Sequence, residues 1–143
     1  MQRYTLEEAR ELGEQMAASL GIPRPHIVEG LRCRYDEATN SIHLNWGDMQ
    51  AFFQVAPHWD WKLILAHEMR HAYQETKGMM KMVSFTSSFW GPRISTVLWC
   101  GEEVVTDWTR MDQEKYRQLP WEKDADEWAF AWCKNNLNKE SAA

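Results

Sequence analysis

Long hydrophobic runs are missing from this 143-residue chain. The longest apolar stretch near its middle, Leu63 to Ala66, is far shorter than the roughly 20 residues a membrane-spanning helix needs. The N-terminal segment MQRYTLEEARELGEQ is charged and amphipathic, without the apolar core of a secretory leader. Cysteine is scarce. Cys33, Cys100 and Cys133 are an odd number with no CxxC spacing, which argues against a disulfide framework or a Cys-rich zinc knuckle. Positive charge is not in excess either: sixteen Lys and Arg against twenty-one Asp and Glu leave a formal charge of −5, so phosphate binding by bulk electrostatics is disfavoured. Repeats, low-complexity tracts and linkers are absent. The expectation is a soluble, cytoplasmic protein with reduced thiols, no membrane association and no nucleic-acid partner.

What is present suits a packed globule. Hydrophobic residues at 44% and charged residues at 26% exclude a disordered chain, and the length fits one domain over residues 1–143 with one core. Nine tryptophans are a heavy load, able to fill a small core and to line a groove.

Hydrophobic spacing gives an outline of the elements. Leu6, Ala9, Leu12, Met16 and Leu20 recur at helical steps, Thr5 and Glu8 have capping-box spacing, and Gly21 and Pro23 close the segment, so a helix is predicted over 5–20. Residues 26–35 and 41–46 read as strands around a turn at 36–40, and the short run Ala51 to Val55 reads as a further strand at the sheet edge. Residues 59–77 read as a helix stopped by Gly78. Residues 79–95 show no period and read as a long loop, whose Met79, Met80, Met82, Phe85, Phe89 and Trp90 either wall a peptide groove or complete the core. A helix is predicted from about Thr96 to Met111, and Pro120 opens a last helix before a fraying tail.

The chemistry concentrates in His67-Glu68-Met69-Arg70-His71, an HExxH sequence within the predicted 59–77 helix. Histidines at i and i+4 lie on one helix face with Cβ atoms roughly 5–6 Å apart, so their rings can converge on one cation. Zn²⁺ suits imidazole, and a catalytic zinc takes three protein ligands and keeps one position open. Glu68, next to the first histidine, is placed to act as general base and then as proton donor to the leaving amine. A chance HExxH in a chain of this composition is on the order of one in a hundred. Its neighbours Leu63, Ile64, Leu65 and Ala72 mark a core helix, where ionisable groups need a reason to be.

His71 is the last histidine in the chain, so a third ligand from later in the sequence has to be a carboxylate. Candidates are Glu102, Glu103 and Asp107 in one region and Glu122, Asp124, Asp126 and Glu127 in the other. Glu122 and Asp126 are spaced i, i+4, and Trp128, Ala129, Ala131 and Trp132 make the helix that follows apolar. Glu122 is the preferred ligand, ahead of Asp124, Asp126 and Glu103, and Asp126 is the preferred acceptor for the second nitrogen of a ligand histidine. Tyr116 is the candidate donor to a developing oxyanion, slightly ahead of Tyr73. Arg70 suits a surface salt bridge, and His26, His43 and His58 read as structural or exposed.

HEMRHAYQ followed by YRQLPWEKDADEWAFAW resembles the small gluzincin-type zinc metallopeptidases, including the ImmA/IrrE-like group and phage- or prophage-encoded relatives. The matching positions are His67, Glu68 and His71, then Glu122, Asp124, Ala125, Trp128 and Ala129. The resemblance implies an α+β, minimal zincin-like fold: N-terminal helix, small sheet, HExxH helix and C-terminal carboxylate-bearing helix. It also implies zinc held by His67, His71 and Glu122, Glu68 as base, and a peptide or protein substrate laid along an edge strand. The motifs cover about a third of the chain, the segment between them (79–119) is long, and no helix-turn-helix unit accompanies them. The alternative is a zincin-like domain that holds zinc without catalysis and serves as an interaction or regulatory module.

Overall fold

The computed structural model describes residues 2–87, 89 and 91–137; Trp90 and the tail expected to fray, 138–143, lie outside the described residues. The fold is mixed α+β, with helices at both ends of the chain and two three-stranded sheets among the described residues. Contacts group the chain into two units, residues 1–73 with 125–143 and residues 74–124. Among the described residues no helix is long and apolar enough to cross a membrane.

The first unit begins with α1 (Leu6–Leu20), whose Thr5 hydroxyl accepts from the Glu8 amide while the Glu8 carboxylate accepts from the Thr5 amide, the expected capping box. Its buried face is Ala9, Leu12, Gly13, Met16, Ala17 and Leu20. A Cβ on Gly13 would sit 2.5 Å from Cδ1 of Ile27 and 3.4 Å from Cε of Met69, so the bare backbone lets α1 approach the sheet closely.

That sheet has the order β1 (His26–Glu29), β3 (Ser41–Leu44), β2 (Arg34–Asp36). β1 runs parallel to β3, with Ile27 opposite Ile42, and β2 pairs antiparallel with β3. The strand predicted over 26–35 is therefore two strands. The chain breaks at 30–33, where Asn45 Nδ2 donates to the Gly30 carbonyl at 2.8 Å and the Cys33 amide donates to Asp48 at 2.7 Å.

The strand expected at Ala51 to Val55 is a helix, α2 (Trp46–Val55). Asn45 Oδ1 accepts from the Asp48 amide at 2.8 Å and starts the helix five residues before the apolar run that suggested a strand. Five residues are too few to separate a period of 2 from one of 3.6. α3 (Trp61–Thr76) follows, its first turn capped by Asp60, which accepts from the Leu63 amide at 2.9 Å. Leu65, Ala66, Met69 and Ala72 on α3 join Met16, Ile27, Ile42, Leu44 and Met49 in the core of this unit, along with Ala129 and Trp132 of α5 (Pro120–Asn136).

α3 ends in the second unit at Gly78 (φ 69°), with the Met79 amide bonded to the Gln74 carbonyl at 2.9 Å, a Schellman closure. The loop expected over 79–95 and the helix expected over 96–111 are both overturned. The segment is an antiparallel meander of β4 (Met80–Thr86), β5 (Ile94–Trp99) and β6 (Glu102–Asp107), then a 3₁₀ turn (Trp108–Arg110) and α4 (Gln113–Gln118). Cys100 and Gly101 form a two-residue hairpin with φ of 51° and 88°, the positive values a type I′ turn demands. Thr96, Val97, Val104, Val105 and Thr106 suit the pleat better than a helix, since branching at Cβ restricts χ1. β4 has no buried residue along its length, so its apolar side chains do not alternate and its period is invisible in the sequence. Val97, Leu119 and Trp121 form this unit's small core, with Met80, Trp99 and Val104 against them.

Candidate metal centre

α3 is so thoroughly buried that its polar residues stand out. Glu68 is 9% exposed among Leu65, Ala66, Met69 and Ala72, all at 0%. One turn of helix brings Nε2 of His67 and Nε2 of His71 to 3.0 Å, with their rings nearly perpendicular at 86°. One ligand atom from each of His67, Glu68 and His71 lies within 4.8 Å of the others. Among the described residues this is the group able to hold a metal ion.

The donor set fits zinc. Imidazole nitrogens sharing a tetrahedral cation at 2.0–2.1 Å stand about 3.3 Å apart, close to the spacing found. Their orientation is set from outside α3. Asp126 of α5 places Oδ1 2.7 Å from Nδ1 of His67, where a carboxylate accepts from Nδ1–H and thereby favours the tautomer whose Nε2 lone pair faces Nε2 of His71. This is the carboxylate–histidine pairing expected of Asp126. Trp59 sets its ring edge against His67 at 6.0 Å between centroids and is itself held by Phe52 at 5.3 Å and Phe130 at 5.1 Å. The imidazole is thus held by a carboxylate at one nitrogen and by an aromatic contact on its ring.

Glu122 lies on the first turn of α5, one turn before Asp126, and is 3% exposed. Asp124 accepts from Nε2 of Gln74 at 2.9 Å, and the same amide donates to the Trp121 carbonyl at 2.9 Å. Gln74 is fully buried and holds the two residues that flank Glu122 and Lys123. The other carboxylate region has different work. Glu102 and Glu103 are exposed on β6, and Asp107 caps the 3₁₀ turn by accepting from the Thr109 amide at 2.9 Å. Tyr116 belongs to α4, is 38% exposed and tilts against Trp108. Arg70 stacks its guanidinium over Tyr73 at 4.3 Å. His26 and His58 are exposed, and the His43 ring packs on Gly30 so closely that a Cβ there would sit 2.5 Å from Nδ1.

Two contributors were not read from the sequence. Gln74 follows His71 by three residues on α3, a spacing that marks the same general face, but a lone glutamine carries no chemical signature. Trp59 precedes the helix and has no periodic relation to the motif. Comparison of the chain with protein-family models, curated proteins and solved structures returned no match, so its function is argued from the residues of this centre.

Proposed function

We propose that the chain is a zinc metallopeptidase of gluzincin type that hydrolyses peptide bonds with Glu68 as base. The observation that carries the reading is the pair of imidazole nitrogens 3.0 Å apart beside a buried carboxylate, with Asp126 fixing the tautomer of one ring. His67 and His71 are two ligands. Glu122 is the third by sequence alone, as the carboxylate of the E-x-D-A-x-x-W-A segment Glu122, Asp124, Ala125, Trp128 and Ala129 that resembles the ligand-bearing helix of that family. When bound, zinc supplies Lewis acidity to the substrate carbonyl and to a water molecule.

The chain's own residues handle the proton. Glu68 takes it from the water as the water oxygen attacks the carbonyl carbon, then delivers it to the nitrogen as the C–N bond breaks. Asp126 keeps the Nδ1 proton of His67 in place throughout, and the apolar neighbours of Glu68 exclude competing water.

Glu68→Gln tests the reading. The expected result is zinc retained on metal analysis and digestion of a peptide library slowed by about 10²–10⁴-fold. Undiminished digestion by that variant overturns the role of Glu68. A wild-type chain that holds zinc and cleaves nothing in the library supports the non-catalytic module instead.

A further inference from the structure

The second unit carries a groove with no part in the zinc reading. It is open to solvent, has a volume of about 460 Å³, and lies between β6 and the segment through α4. Val104 and Leu119 give it apolar walls, Arg110 and Lys115 bring positive charge, and Asp107 is the carboxylate among its lining residues. Asp107 is already engaged, capping the Thr109 amide at 2.9 Å, and one negative against two positive side chains leaves a net charge of +1.

Thr106 also lines this groove. Its residue is 4% exposed, and its Oγ1 is the buried side-chain oxygen that has no hydrogen-bond partner among the described residues. Buried hydroxyls are nearly always paired, so this one is a donor in want of an acceptor, and because its oxygen is closed to solvent it has to turn about χ1 to meet anything in the groove. Volumes of about 300–1,000 Å³, mostly apolar lining and a few convergent polar groups are the usual marks of a small-molecule site.

We propose that this groove binds a monoanionic carboxylate carried on an apolar body, the charge meeting Arg110 and Lys115, the apolar part lying along Val104 and Leu119, and Thr106 turning its hydroxyl to the carboxylate. Two sources share that chemistry, a free apolar acid and the C-terminal carboxylate of a peptide ending in an apolar residue. The outer edge of β6, which pairs with no further strand among the described residues, offers main-chain groups to the second.

The test is an amide-resolved NMR titration of the full chain with octanoate and with N-acetyl-leucyl-leucine, each against its neutral amide. The acids are expected to give saturable shifts at residues 104–107 and 110–119, and to bind about tenfold or more tightly than the amides. Lys115→Glu should weaken the acids by about tenfold and leave the amides unchanged. Thr106→Val keeps the side-chain shape, should fold at least as well as the parent, and should weaken the acids several-fold. Binding of octanoate alone assigns the free acid, and binding of the dipeptide assigns a peptide terminus. Equal affinity for acid and amide, shifts scattered elsewhere, no saturable shift with either acid, or affinities unmoved in both variants overturns the proposal.

Discussion

Replacing Asp126 by Asn isolates the contact on which the metal reading leans most. The change is nearly isosteric, so packing along α5 survives, but the 2.7 Å hydrogen bond to Nδ1 of His67 loses its charge. A hydrogen bond to a charged group is worth about 1.5–3 kcal/mol, against about 1 kcal/mol for a neutral one. Part of that difference appears as lost ligand basicity and part as freedom of the ring to rotate. Every 1.4 kcal/mol is a factor of ten, so a loss of about 0.5–2 kcal/mol lowers zinc affinity by about 2- to 30-fold, overlapping the lower part of the 10- to 100-fold range found when partners of this kind are removed. The assay is competition for zinc against a chromophoric chelator near neutral pH, with thermal melts in excess chelator run alongside. Melts in chelator should differ little between parent and variant, because one partly exposed charged hydrogen bond is all that changes. Melts in zinc should separate, since a ligand at 100 times its dissociation constant stabilises by about 2.7 kcal/mol. Equal zinc affinity in the two proteins would refute the reasoning.

Gln74→Leu removes two hydrogen bonds, a buried one to the Trp121 carbonyl and a part-buried one to Asp124, and should cost about 2–4 kcal/mol, read as a lower urea midpoint with an unchanged slope. Asn45→Ala loses both the cap of α2 and the tie to Gly30, and should destabilise by about 1–2 kcal/mol in the same assay. Burial pushes the Cys33 and Cys133 thiols up to about 12 from an ordinary value of 9.0, so the folded state holds these protons more tightly than the unfolded chain does. Stability from these thiols is then intact below about pH 9 and is lost as the pH rises from there towards 12. At pH 8 a thiol reagent should label exposed Cys100 quickly in the native protein and Cys33 and Cys133 only after unfolding, and equal native rates at all three would refute this.

The elements that could be read from the sequence are those whose signals are local. Thr5 and Glu8 announce α1 because both partners of the cap lie within four residues, and Gly78 announces the end of α3 because only a left-handed residue closes a helix in that way. HExxH is legible for the same reason: its geometry is internal to one turn. The 79–111 segment was not. In β4 both faces are open, so Met82, Val83 and Phe85 are exposed by half or more and no alternation records the strand. In β5 and β6 the signal lay in the Cys100-Gly101 pair between two β-branched runs, where a cysteine at the first turn position disguised a hairpin that Asn-Gly would have made plain. α2 was missed because its starting signal, Asn45, sits next to the end of β3 and serves both elements. The pairing of Asp126 with His67 was legible in kind, since a ligand histidine needs an acceptor, though 59 residues separate the two.

Stability alone does not account for what α3 carries. Positions 63–66, 69 and 72 are filled by Leu, Ile, Leu, Ala, Met and Ala, so the helix has ample apolar surface to bury without help from position 68. A carboxyl group at 9% exposure and a second, Glu122, at 3% are costly in a core, because a polar group taken from water loses free energy unless it finds a partner. Apolar side chains of similar volume would commonly give an equal or more stable protein. Asp126 adds a further charge and spends it on orienting His67. A helix built for packing alone has no use for an imidazole held in one tautomer, whereas a helix that offers a lone pair to a cation requires it. The burial of Glu68 and the hydrogen bond from Asp126 to His67 are therefore better accounted for by the proposed metal site than by packing alone.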